Sequence, residues 1–184
     1  MSDFTYTVER AEAVTTVDEY LSQCVDIPRF LECCKQCPNY GTRWSCPPFD
    51  FDVPAFWRQY RTLRLYARFL APGDNRDGQA MIDALGREKT RFLAELLALE
   101  QAEPGSRVLA CGSCNACIDC TRSQGMPCRN PQQLRPSIES LGGDVTKTAE
   151  HYFGRPLLWV QNGVAPDYLT LVGGLLVPGD AACR

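Results

Sequence analysis

The chain has 184 residues, 45% of them hydrophobic and 22% charged, with a formal net charge of −3. At this size a chain buries roughly two-thirds of its unfolded surface, so disorder is excluded, and so is the large positive field of a nucleic-acid binder. Eleven cysteines and one histidine, His151, are present, and an odd number of cysteines cannot be fully paired as disulfides within one chain. In chain order, Phe4 to Arg10 alternates as a strand does. Thr16-Val-Asp-Glu19 matches a capping box, with Tyr20, Leu21 and Cys24 following at helical spacing. A second helix is expected from Asp26, with Pro28 in its first turn, to Cys34. Pro38, Asn39, Gly41, Pro47 and Pro48 then make the stretch up to Phe49 a loop.

Pro54 to Tyr60 reads as one or two helical turns. Leu63, Leu65, Ala67 and Phe69 alternate with Arg64, Tyr66 and Arg68, a strand with one wet face. Asp77 to Gln101 is the strongest helix, its stripe running from Met81 through Phe92 to Leu99, and Pro104-Gly105 ends it. A short strand, Arg107 to Ala110, leads into a second cysteine loop from Cys111 to Pro131. Ser137 to Phe153 reads as a helix broken near Gly142-Gly143, and two strands, Leu157–Gln161 and Tyr168–Val177, close the chain. No repeat, low-complexity tract or dividing linker occurs. Residues 1–184 are therefore expected to form a single α+β domain: a mixed sheet, flanking helices and two cysteine-rich metal-binding loops.

The second loop reads Cys111-x2-Cys114-x2-Cys117-x2-Cys120, then seven residues, then Cys128-Arg-Asn-Pro131. Spacing by two lets successive thiolates turn toward one centre while the intervening amides donate to sulfur. The bacterial ferredoxin run has the same x2 repeat followed by a cysteine near a proline. Soft, all-sulfur ligation suits an iron–sulfur cluster or zinc and excludes magnesium and calcium. Cys114, Cys117 and Cys120 with either Cys111 or Cys128 would hold this centre. In the first loop Cys34-x2-Cys37 and Cys46-Pro47 supply three ligands. The fourth is open between Cys33, Cys24, a crossing cysteine such as Cys128, and an iron position left free for a substrate.

These residues resemble a cysteine-rich, predicted metal-binding family of unknown function from anaerobic bacteria and archaea. The matching text is Cys34-x2-Cys37-Pro-Asn-Tyr-Gly-x2-Trp44-x-Cys46-Pro-Pro, then Cys114-x2-Cys117-x2-Cys120, Pro127-Cys128-Arg-x-Pro131 and Pro136-Ser-Ile-Glu-Ser-Leu-Gly. The resemblance implies metal binding through Cys34, Cys37, Cys46, Cys114, Cys117, Cys120 and Cys128. Cys111 stands where the family more often has a small residue, and Cys24, Cys33 and Cys183 lie outside its pattern.

Cys24 reads as a buried thiol, Cys183 as a free terminal one and His151 as a surface or capping residue. Trp44 and Tyr40 are expected to pack over the first loop. Arg43, Arg122, Arg129 and Arg135 flank the loops, where they would offset cluster charge or dock an acidic partner. No dinucleotide, Walker, metalloprotease or Ser–His–Asp pattern is present. With no charged leader and no apolar run of about eighteen residues, a cytoplasmic protein is expected. The reading that follows is a carrier of two 4Fe–4S clusters serving a redox partner protein, without nucleic acid or membrane. The alternatives are an iron–sulfur enzyme with an open iron acting on a small molecule or corrinoid, and a zinc-stapled interaction module.

Overall fold

Every α-helix opens on a short side-chain acceptor, which fills a backbone N–H that the first turn leaves unpaired. The computed structural model describes residues 4–179. Strand β1 (Tyr6–Thr16) runs six residues past Arg10, to the point where Thr16 accepts from the Glu19 N–H at 3.1 Å and starts α1 (Val17–Cys24). Asp26 opens α2 (Ile27–Lys35), and Asp52 opens the short α3 (Val53–Trp57). Asp77 takes the N–H groups of Gln79 and Ala80 to open α4 (Gly78–Ala102), and Asp144 opens α5 (Val145–Phe153).

Strands β2 (Thr62–Pro72), β3 (Arg107–Leu109) and β4 (Leu169–Val177) join β1 in the order β1-β2-β4-β3. All three ladders are antiparallel, whereas a mixed sheet was expected; the parallel pairing present is an isolated bridge between Ala110 and Ser137. The α+β class stands. The expected strand over Leu157–Gln161 does not form. Gln161 makes an isolated bridge to Val164; Val160 packs against the core under α4, while Leu157, Leu158 and the exposed Trp159 line a surface cavity with Ile82, Leu85 and Leu169. The segment expected as a broken helix from Ser137 begins as a 3-10 turn, Glu139–Leu141, and becomes α-helical only at Val145. Gly142, at φ 89°, makes that break, and a Cβ there would meet the Ile27 Cα at 2.7 Å.

Each sheet face has its own core. Leu63, Leu65, Ala67 and Phe69 of β2 pack with Val17 and Tyr20 of α1, Trp57 of α3, and Ile138 and Leu141. On the other face α4 lays Met81, Phe92 and Leu96 over Leu70, Leu171 and Leu175. Burying each such side chain contributes about 1.5–3 kcal/mol. Close approach of α4 requires Gly173, where a Cβ would stand 2.8 Å from Leu96 Cδ1 and 3.0 Å from the Leu109 carbonyl.

The face of β2 read as wet is covered at Arg68, while Tyr66 is half-buried and the Arg64 side chain keeps 41% of its surface exposed. Arg68 is 2% exposed; it pairs with Glu88 at 3.2 Å and with Glu95, and lies 4.6 Å over the Phe92 ring. A charge taken out of water survives only when paired. Burial acts to raise the Glu88 carboxyl, but hydrogen bonds from Arg91 and Tyr6 and the charges of Arg91 and Arg68 outweigh it, leaving the group below its ordinary value. A depressed carboxyl stabilises the fold above its unfolded pKa and loses that contribution as pH falls through its folded value. Glu88→Ala should cost roughly 3 kcal/mol in urea unfolding at neutral pH, because Arg68 is left buried beside the half-exposed Glu95. The gap between variant and parent should close under acid; a gap unchanged by acid would show that the pair does not set it.

Candidate metal centre

The first cysteine loop grows out of the end of α2. Gln36 N–H bonds Cys33 O at 3.2 Å and Cys37 N–H bonds Cys34 O at 2.9 Å, so the helix tightens into successive turns. Tyr40 N–H to Cys37 O, Cys46 N–H to Arg43 O and Gly41 N–H to Pro47 O then fold the loop back on itself. Cys46 is buried, Cys34 half-buried, and Cys33 and Cys37 exposed. Burial pushes the Cys34 thiol up, and the charges of Cys46, Cys37 and Cys33 add to the rise. Burial also raises Cys46; the Ser45 hydroxyl and the charges of Arg43 and Arg122 oppose it, while Cys37 adds to it. Three thiols spaced along thirteen residues thus share one neighbourhood.

The second loop is pinched at its neck. Ala110 N–H bonds Pro136 O at 2.9 Å, and Ile138 N–H bonds Ala110 O at 3.4 Å. Within the loop, Cys114, Cys117, Cys120 and Cys128 line one cavity together with Trp44, Ser45 and Asn130. Its volume is ≈ 20 Å³, the room of about one water-sized sphere. Asn130 Nδ2 donates to Cys117 Sγ at 3.0 Å, and Ala116 N–H to Cys114 Sγ at 3.5 Å. Donors aimed at sulfur are what a thiolate needs when it is held away from water. Among the described residues no group of three or more Cys, His, Asp or Glu forms a ready-made single-ion site. The donor set, four thiols with N–H groups on sulfur, suits a thiophilic metal or an iron–sulfur cluster.

Hydrogen bonds stitch the two loops into one body. Arg43 Nη1 donates to Cys114 O at 3.1 Å, and Cys114 N–H donates to Ser45 Oγ at 2.9 Å. Arg122 donates to the carbonyls of Arg43, Cys46 and Pro48. Trp44, expected to cover its own loop, reaches across to donate from Nε1 to Met126 O at 3.1 Å, with Arg122 5.2 Å over its ring. Arg135 is taken by Glu100 at 2.7 Å, and Arg129 stays exposed at the cavity.

Cys111 stands apart from the four cavity thiols. It is 5% exposed in the core beneath α4, and burial pushes its thiol to about 12. Cys24 is buried in the other core beside Thr148. His151 is exposed, 4.7 Å edge-on to Tyr152, and Cys183 lies outside the described residues. Ser45 and Asn130 were not singled out from the sequence, although each sits one or two residues from a cysteine of the motifs.

Burial orders the thiols by reactivity. In metal-free protein, iodoacetamide followed by mass spectrometry should, among the described cysteines, mark Cys33 and Cys37 first and reach Cys24 and Cys111 only after denaturation. Early labelling of Cys111 would place it outside the core.

No curated protein and no solved structure matches the chain. The family model described as "Predicted metal-binding protein (DUF2284)" matches residues 23–177, a span that takes in both cysteine loops and all of the sheet except β1. With most of its length inside that match, the chain belongs to the DUF2284 family of predicted metal-binding proteins.

Proposed function

We propose that this protein carries two iron–sulfur centres of the 4Fe–4S type and passes single electrons to and from a partner protein in the cytoplasm. The observation that carries the reading is the gathering of Cys114, Cys117, Cys120 and Cys128 about one cavity whose far wall is the first loop. These four are the ligands of one centre; Cys34, Cys37 and Cys46 supply the other. A bound cluster supplies a one-electron couple whose potential is set by its ligands, by hydrogen bonds to sulfur and by its distance from water. In this chain Asn130 and the Ala116 N–H provide such bonds, while Trp44 and Arg122 shield the shared wall. Outward from the ligands, Ile118 is 96% and Met126 52% exposed, an apolar contact within a few residues of the thiols and suited to a transient partner. Among the described residues no helix is long and apolar enough to cross a membrane.

The narrow cavity favours a second reading, in which a single zinc staples the second loop and the surface serves binding. Metal analysis separates the two. Protein purified without oxygen should contain about eight iron and about eight sulfide per chain, be brown, and bleach with dithionite. Cys37→Ser and Cys120→Ser should each remove about half of the iron. One or two zinc with no sulfide would overturn the electron-transfer reading in favour of the staple.

A further inference from the structure

We propose that the cavity walled by Trp44, Phe49, Phe51 and Arg107 is a binding site for a small planar aromatic carboxylate. The proposal goes beyond the electron-carrier reading and does not rest on it, because none of the groups it uses is a thiol.

The cavity lies between the first cysteine loop and the root of the second. Trp44 and Phe49 come from the first loop, Phe51 from the turn leading into α3, Arg107 from β3 and Arg122 from the second loop. Its volume is ≈ 370 Å³, in the range of cavities that hold small molecules, against ≈ 20 Å³ among the four thiols. Trp44 and Leu134 line both cavities, so a molecule held here lies next to whatever centre the thiols hold.

Fixed rings form much of the wall. Phe49 and Phe51 stack at 4.7 Å with 21° between their planes. Phe49 is packed against the core and serves as a platform, while Phe51 is exposed although large and apolar. Trp44 is held by the bond from its Nε1 to Met126 O. Ring faces fixed around an open cavity favour a flat aromatic occupant, since stacking adds to the gain from covered area.

The charge at this cavity is positive and short of partners. Arg122 spends its N–H groups on the carbonyls of Arg43, Cys46 and Pro48, neutral acceptors that leave its charge uncompensated among the described residues. Arg107 has only a share of Glu100: its Nη1 stands 3.6 Å from Oε1, while Arg135 takes Oε2 at 2.7 Å. Burial, followed by the charge of Arg135, holds the Arg107 guanidinium below its ordinary value, with Glu100 and Tyr60 opposing. Among the described residues Asp50 is the one acid in the lining, and it is exposed. A half-buried guanidinium without a full counter-charge is served by an anion that a ligand brings, and its planar fork matches a carboxylate. With Glu100 and Asp50 nearby, a singly charged carboxylate suits the site better than a doubly charged phosphate.

The test is calorimetric titration of the full chain, purified without oxygen, with 2-naphthoate as the probe. 2-Naphthalenemethanol supplies the ring without the charge, and cyclohexanecarboxylate the charge without the ring. 2-Naphthoate should saturate a single site and bind at least about tenfold tighter than either. Arg107→Gln should weaken 2-naphthoate about tenfold, the scale of one lost charge-assisted bond, and leave 2-naphthalenemethanol unchanged. Arg107→Lys should recover part of that loss. Phe51→Ala should weaken both ring compounds; the ring is exposed, so this variant keeps the fold and carries the test if Arg107→Gln unfolds. Trp159→Ala, which removes an exposed ring from a separate cavity, should change nothing.

No saturable heat from 2-naphthoate would overturn the site, and so would equal binding of the three compounds. Binding lost in Trp159→Ala but kept in Arg107→Gln and Phe51→Ala would move the ligand elsewhere and overturn it too. Iron and sulfide are counted separately, so a failure here leaves the two-centre reading to stand or fall on metal analysis.

Discussion

Two guanidinium groups hold together what no ladder could. The cysteine loops have little regular structure, yet their carbonyls must find donors wherever they turn inward. Arg122 satisfies Arg43, Cys46 and Pro48, and Arg43 satisfies Cys114, so each loop is completed by a side chain whose bonds reach the other. Charge-assisted bonds of this kind are stronger than neutral ones, and a planar fork fixes direction as well as distance. Trp44 and Ser45 add direct bonds of their own, to Met126 O and from the Cys114 N–H, so the wall they form is held beside Cys114, Cys117, Cys120 and Cys128 from both sides.

That clamp works because the roots of the loops are already close. The sheet brings β3 beside β4, and the chain leaves β3 at Ala110 and returns to it at Pro136 to Ile138. The same returning segment continues into Gly142, which lies against Ile27 with no room for a side chain and so seats α2. One stretch of about eight residues thus anchors the second loop at its first half and the first loop at its second. The paired charges under α4 serve a different purpose. They let a long helix cover a strand face that carries arginine, and the cost of burying Arg68 is offset by Glu88 and Glu95.

Much of this was legible in the chain, and the unread parts share a cause. Helix starts were plain, because Thr16, Asp26 and Asp77 are local signals acting within three residues. The cysteine spacing announced sulfur ligation, and the family match covers the same residues. What stayed hidden depends on partners distant in sequence. Leu157 to Val160 had the apolar run of a strand, but the run joins neither edge of the sheet; Val160 packs on the core under α4 and Trp159 stays exposed. Arg68 read as part of a wet face with Arg64 and Tyr66 because nothing nearby announced that α4 would bury it. Cys111 fits the x2 rhythm yet turns into the core.

Opposing electrostatic demands meet at the first loop. Burial raises Cys34 and Cys46, so in metal-free protein these thiols keep their protons more firmly than free cysteine does. A metal held there would have to displace those protons, so its affinity would weaken as pH falls and deep burial would be costly. Shallow burial would admit water and raise the local dielectric, weakening the control of potential that a redox centre needs. The chain moderates the conflict at Cys46, where Arg43 and Arg122 lower what burial raises. They are the two residues that also tie the loops. A neutral donor such as asparagine could take up one of the carbonyls, and a lysine could supply the charge. Only a guanidinium bonds several acceptors in fixed directions and still presents its charge to the buried thiol: Arg122 takes three carbonyls, and Arg43 takes Cys114 O with the Asn39 side chain.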